Sequence, residues 1–158
     1  MHISWNQYFM GVALLSAKRS KDPSTQVGAC IVNNDNRIIG IGYNGFPRGC
    51  DDDKFPWGKT GSFENTKYPY VVHAEANAIL NSTVSSLKGA TLYVTLFPCN
   101  ECTKLLIQSG ISHIIYMSDK HSGEASDIAS KKMLDAAGIT YEKMPELDLI
   151  IKDIKWNI

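Results

Sequence analysis

The sequence predicts an α/β protein, a three-layer α/β/α sandwich built on a mixed sheet. Two observations lead there. The periodic segments follow the order α-β-β-α-β-α-β-α-β, and one early hairpin gives way to alternating β and α segments. Hairpin strands pair antiparallel, whereas β-α repeats lay parallel strands side by side with helices over the faces. The chain shows neither an internal repeat nor a linker, so its 158 residues read as one domain, 1-158, long enough to bury a real core.

The first helix is marked by Trp5, Phe9, Val12, Ala13 and Ser16, spaced as one helical stripe. Asp22-Pro23 ends that segment, because a residue before proline avoids helical backbone. "TQVGACIVN" and "RIIGIGYNG" are β-type runs separated by "NDN", residues that tolerate the positive φ of tight turns, which predicts a hairpin. Residues 45–73 have no period and are rich in Gly, Pro, Asp and Lys; a connection this long inside a compact domain is functional or mobile. A helix over 74–81 or beyond follows, then the strand "TLYVTLF" and a helix over 99–109 with Gly110 placed for a left-handed C′ position. The strand "HIIYMS", the helix "EASDIASKKMLDAA" closed by Gly138, and the strand "ITYEKM" continue the alternation. Period does not decide between strand and short helix for the final "DLIIKDIKW".

Composition narrows the function. Apolar residues make up 44 % and charged residues 20 %, ordinary for a globular protein. Lys+Arg and Asp+Glu number 16 each, a balance that disfavours a polyanion-gripping surface and leaves small charged metabolites open. No apolar run reaches membrane-spanning length, and "MHISWNQYFMG" lacks a basic n-region and a cleavage-like end, so the expected setting is cytoplasmic, with no membrane and no nucleic acid as partner. In that setting Cys30, Cys50, Cys99 and Cys102 are read as reduced thiols or metal ligands rather than disulfides.

Two short motifs carry chemistry: His73-Ala74-Glu75 and "PCNEC", residues 98–102. Cys99 and Cys102 at i and i+3 share one helix face, and Pro98 suits a helix start. The unpaired N–H groups and partial positive charge of that start favour thiolate, and two thiolates suit zinc. A lone CxxC also fits a redox pair or a structural half-site. With no second CxxC or paired His motif, a three-ligand site with water in the fourth position fits better, and His73 supplies the third ligand. His73 and Glu75, at the first turn of their helix, both reach an object off its end, provided the two helices follow neighbouring strands. Glu75 then stands near the open position. Taken singly, His73 reads as a backbone cap and Glu75 as a macrodipole complement; their joint occurrence with "PCNEC" argues for a site. H-x-E…P-C-x-x-C is the known signature of zinc-dependent deaminases.

On these residues the chain resembles the deoxycytidylate (dCMP) deaminases of the cytidine-deaminase superfamily. The resemblance runs through "KDPSTQVGACIVN", "GIGYNGFP", "TKYPYVVHAEANAI", "LFPCNECTKLLIQSGI" and "MSDK". It implies a five-stranded mixed sheet between helices, hydrolysis of dCMP to dUMP and ammonia, and a homohexamer. It also implies activation by dCTP and inhibition by dTTP, with Mg²⁺ accompanying the triphosphate. His73, Cys99 and Cys102 match the Zn²⁺ ligands and Glu75 the proton shuttle. Asn44 matches the asparagine that contacts deoxyribose, and Ala74 the position whose backbone N–H binds the pyrimidine carbonyl. His121 departs from the Tyr of many relatives. The long loop offers no His or Cys between Asp51 and Val72 for the second zinc that some carry. Lys21, Ser24 and Thr25 are candidates for the 5′-phosphate. Gly45, Arg48 and Asp51 are candidates for the effector, with a plain exposed turn as the competing reading of Arg48. The rival classes are a nucleic-acid editing deaminase, a zinc-stabilised interaction domain and a dithiol redox protein.

Overall fold

Alternating side-chain direction along the strands sorts the side chains into two layers, one on each face of a central sheet. The computed structural model describes residues 1–152. Its elements run α1 (Trp5–Ala17), β1 (Gly28–Val32), β2 (Ile38–Tyr43), α2 (Ala74–Leu80), β3 (Thr91–Leu96), α3 (Asn100–Ser109), β4 (His113–Ser118), α4 (Ala125–Ala137) and β5 (Thr140–Lys143). The sheet order is β2-β1-β3-β4-β5. β1 pairs antiparallel with β2 and β3, while β3-β4 and β4-β5 are parallel, so the predicted mixed five-stranded sheet is found. The hairpin turn passes through Asn36 at φ 57°, as the "NDN" reading requires.

One face of the sheet carries Ala29, Ile31, Leu92, Val94, Ile114 and Tyr116, packed against α2, α3 and α4 through Ala78, Leu106 and Leu134. The opposite face carries Cys30, Val32, Tyr93 and Ile115 beneath Phe9, Met10 and Ala13 of α1. β1 is buried along its whole length because helices cover both sides. The layers are therefore α1, sheet, and α2 to α4.

Two close approaches set the helix positions. A Cβ at Gly28 would lie 1.8 Å from the Ala13 carbonyl oxygen, so only glycine lets α1 sit this near β1. A Cβ at Gly42 would lie 2.3 Å from both the Ala74 carbonyl oxygen and the Ala78 nitrogen, which brings α2 onto β2. Asn77 then fastens that helix by donating from Nδ2 to the Tyr43 carbonyl at 2.8 Å.

Three expectations change in detail. The buried face of α1 is Phe9, Met10, Ala13 and Ala17, rotated from the predicted stripe, and Trp5 is 57 % exposed while stacking on Phe9. α1 stops at Ala17, before Asp22-Pro23, because the chain turns at Lys18 to Ser20. The long 45–73 connection contains only a 3-10 turn at Phe63–Asn65. It is nonetheless pinned, by paired hydrogen bonds between Gly45 and Val72 and by Phe46 packed on Trp57 at 4.0 Å. Of "DLIIKDIKW", residues 148–152 form neither strand nor helix, and the remainder lies outside the described residues.

Candidate active site

The site lies where β2 and β3 end. These strands are not neighbours, since β1 runs between them. Each is antiparallel to β1 and therefore parallel to the other, so their C-terminal ends reach the same edge. α3 begins directly after β3, and the pinned 45–73 connection returns the chain so that α2 begins beside it. Ligand sites of α/β sheets characteristically gather at such carboxyl ends.

His73 is the N-cap residue of α2, yet its side chain makes no capping hydrogen bond. It points away from its own helix: Nδ1 lies 3.4 Å from Cys99 Sγ and 3.4 Å from Cys102 Sγ. Cys99 is the N-cap of α3 and its sulfur accepts from the Cys102 N–H at 3.5 Å. The ligand atoms of all three residues fall within 4.8 Å of one another. Zinc bonds at about 2.3 Å to sulfur and about 2.0–2.1 Å to nitrogen, so tetrahedral ligand atoms sit roughly 3.5 Å apart. The donor set and its spacing fit Zn²⁺. Three protein ligands leave a fourth position open.

The charge states are set by the same contacts. The Cys102 thiol, donating to Cys99, holds the Cys99 pKa down to about 4 against burial, with His73 adding to the effect. Cys102 is pushed up by that bond, by burial and by the nearby Glu75 carboxylate. The bond to Cys99 raises His73 although burial lowers it. Glu75, at the second position of α2, is 4 % exposed. Burial raises its pKa, and His73, its own N–H and the Cys102 thiol only partly oppose this. A carboxyl group so placed takes up and releases protons more readily near neutrality than an exposed one.

A pocket of about 340 Å³ opens over this cluster, a size suited to a small ligand. His73, Ala74, Glu75, Cys99, Thr25 and Asn44 are among the residues that line it. Ala74 is the first residue of α2, where a backbone N–H has no intrahelical acceptor. Asn44 is 6 % exposed and occupied on both sides: Oδ1 accepts from the Val27 N–H at 2.9 Å, and Nδ2 donates to the Thr25 carbonyl at 2.9 Å. Lys21 and Ser24 lie outside the lining. Lys21 pairs instead with Asp52 at 2.8 Å. Gly45, Arg48 and Asp51 are likewise outside the pocket, and Asp51 pairs with Lys54 at 3.1 Å.

Asp22, Lys67 and Lys120 are among the pocket residues that sequence reasoning missed. Asp22 was read only as a helix stop; its Oδ1 accepts from the Ser24 N–H at 2.8 Å, and its other oxygen accepts from Lys67. Lys120 donates to Thr25 Oγ1 at 3.3 Å. The available signal was position: all three lie inside stretches that carry the family resemblance, "KDPST", "TKYPYVV" and "MSDK".

Support comes from behind as well. The Asn100 N–H donates to Ser126 Oγ at 3.0 Å, and Ser126 returns a hydrogen bond to Asn100 Oδ1 at 2.9 Å. Ser130 donates to the Pro98 carbonyl at 3.1 Å. These contacts fix the start of α3, and with it both cysteines, against α4.

Known proteins share these features. The family model for the cytidine and deoxycytidylate deaminase zinc-binding region matches residues 3–118. A probable deoxycytidylate deaminase of Drosophila melanogaster is 61 % identical over 148 residues, covering 90 % of this chain and 73 % of that protein. The deoxycytidylate deaminase of Homo sapiens is 53 % identical over 154 residues, covering 96 % and 86 %. Among solved structures, the dCMP deaminase of cyanophage S-TIM5 in complex with dCMP and dUMP superposes with a TM-score of 0.71 at 27 % identity, covering 91 % of this chain and 99 % of that one. By its sequence, its sheet and its His-Cys-Cys cluster, this chain belongs to the cytidine and deoxycytidylate deaminase family.

Proposed function

We propose that the protein hydrolyses dCMP to dUMP and ammonia, with His73, Cys99 and Cys102 holding one Zn²⁺ per chain. The observation that carries this reading is the buried Glu75 beside the three-ligand cluster, lining a pocket of about 340 Å³. Zinc held there supplies Lewis acidity, which brings the pKa of water down to about 7. Glu75 takes the proton of the attacking water and passes it to ring N3, which makes C4 electrophilic. The water oxygen bonds to C4. Glu75 takes the second proton from the new C4 hydroxyl and delivers it to the amine nitrogen. The C4–N bond then breaks to leave the C4 carbonyl of dUMP and ammonia. The Ala74 N–H orients the pyrimidine carbonyl. Asn44 reaches the deoxyribose, or shapes the wall that does, through its grip on the Thr25 backbone.

The chain acts as a single catalytic domain in the cytoplasm. The reading extends to regulation: dCTP activates and dTTP inhibits, each with Mg²⁺, in a homohexamer. Gly45, Arg48 and Asp51 serve the effector from a position separate from the substrate pocket. The family resemblance supports this, together with the exposed placement of Arg48 on a loop whose ends are pinned. Among the described residues no helix is long and apolar enough to cross a membrane.

The test is ammonia release from dCMP, with deoxycytidine and a cytidine-containing oligonucleotide alongside, and dCTP·Mg²⁺ added or withheld. Turnover of dCMP supports the reading, and a response to dCTP supports its regulatory part. Turnover of the oligonucleotide alone would replace it with nucleic-acid editing.

A further inference from the structure

Of the two cysteines in the metal-ligand cluster, Cys99 is the one its own helix holds less. It is the N-cap of α3, with extended backbone at φ -69° and ψ 167°. Its carbonyl accepts from the Thr103 N–H at 2.9 Å and so joins the helical ladder, but its own N–H stands outside that ladder. Cys102 lies one turn further in and is 3 % exposed. A cysteine sulfur is one rotatable bond from the backbone, so its position follows the backbone that carries it. A metal site holds its ligand distances to about 0.2 Å. The start of α3 therefore needs a support outside α3.

α4 supplies it. Ser126 and Ser130, at i and i+4, share one face of that helix. They contact the residues on either side of Cys99. Ser130 Oγ, in a residue with no solvent exposure, donates to the Pro98 carbonyl at 3.1 Å. Ser126 Oγ accepts at 3.0 Å from the Asn100 N–H, a first-turn group with no acceptor in its own helix. The same hydroxyl donates to Asn100 Oδ1 at 2.9 Å. The chain is thus gripped just before the ligand and just after it, by two hydroxyls of one helix. Neither serine is a ligand, and both lie beyond residues 3–118, the stretch matched as the zinc-binding region.

We infer that Ser126 and Ser130 are positioning residues for the metal centre. Acting through Asn100 and Pro98, they hold Cys99 Sγ at its distance from His73 and Cys102 and so set the zinc affinity and the geometry of the ligand set. The inference rests on the zinc reading above and deepens it, because it gives control of the site to a helix that carries no ligand. Removing either hydroxyl strips a backbone group beside Cys99 of its partner and frees the sulfur to move.

The experiment compares wild type with Ser126→Ala, Ser130→Ala and Ser126→Thr. Ile114→Val, a buried change near the far end of β4, is the control for general loss of stability. Zinc affinity is measured on each protein by competition with a chromophoric chelator, and thiolate-to-metal absorption is recorded after loading with Co²⁺. Each serine-to-alanine change should weaken zinc binding by roughly 10- to 100-fold, the usual effect of losing a partner that orients a ligand. It should also alter the cobalt spectrum. Ser126→Thr keeps the hydroxyl and should recover most of the affinity. Ile114→Val should lower the melting temperature and leave both metal readouts unchanged. Ser126 is half-buried, and its alanine variant carries the test independently of any folding loss in Ser130→Ala. Wild-type zinc affinity in Ser126→Ala, or an equal loss in Ile114→Val, would overturn the inference and leave the metal site itself standing. Serine-dependent zinc affinity without ammonia release from dCMP would sustain it and contradict the deamination reading instead.

Discussion

Lys67 donates its ammonium to the Asp22 carboxylate across 45 residues of sequence, and the two side chains keep only 10 % and 1 % of their exposure. The pair ties the loop before β1 to the 45–73 connection, and both residues line the pocket at the His-Cys-Cys cluster. Burial alone would raise the Asp22 pKa. Lys67 and the N–H groups of Ser24 and Thr25 outweigh it and hold the carboxyl below its ordinary value of 3.8. A depressed native pKa means that the folded state binds fewer protons than the unfolded one. The pair's contribution to stability is therefore complete above 3.8 and lost as pH falls through the native value. Lys67→Met should cost about 3–5 kcal/mol at neutral pH, because it strands a buried charge. It should also flatten the acid side of the stability curve, read by urea unfolding across the pH range.

Glu75→Gln isolates the proposed proton shuttle from the metal. The substitution keeps shape and removes a carboxyl whose ionised form is penalised by burial, so thermal stability should hold or rise slightly. Zinc content should remain at one per chain. Turnover should fall by about 10²- to 10⁴-fold, the usual contribution of a positioned acid-base group. Metal analysis and ammonia release on the same sample check both halves.

Removing a ligand should act differently. Cys99→Ala and His73→Ala should each lose zinc and turnover together, and their melting temperatures should no longer respond to added zinc. In the wild type a chelator should lower the melting temperature, because a metal that binds only the folded chain stabilises it by mass action. Calorimetric melting with and without chelator reads this directly.

Gly42→Ala tests the placement of α2. The new methyl would sit 2.3 Å from backbone atoms of Ala74 and Ala78, which cannot rotate away as a flexible side chain could. The helix must shift, at a cost of about 3 kcal/mol. His73 and Glu75 ride on its first turn, so zinc affinity should drop too. Gly45→Ala is the contrast: nothing lies within 4 Å of its added Cβ, and stability should be nearly unchanged.

Much of this architecture was legible in the sequence because local rules produced it. Helix starts, left-handed Gly110 and Gly138, and the hairpin turn all follow from short-range chemistry. The joint occurrence of H-x-E and P-C-x-x-C pointed to the cluster. The face of α1 was harder, since Trp5 carries the hydrophobicity of a core residue yet stacks on Phe9 at the surface. The 45–73 connection had no readable period because tertiary contacts order it: Phe46 on Trp57, Phe55 against Tyr70 at 5.1 Å, and the Gly45–Val72 bridge. The pairings made by Lys67 and Lys120 were invisible for the same reason. Their partners lie 45 and 95 residues away, and no local pattern encodes a pairing that only the folded sheet creates.

In the proposed reaction Glu75 works beside a zinc held by His73, Cys99 and Cys102 to deaminate dCMP. The most direct test is ammonia released from dCMP by zinc-loaded wild type and by zinc-loaded Glu75→Gln, with metal content verified in each. Turnover by the wild type and near-complete loss in the variant at equal zinc are the expected results. Full activity in Glu75→Gln, or a zinc-loaded wild type that releases no ammonia from dCMP, would contradict it.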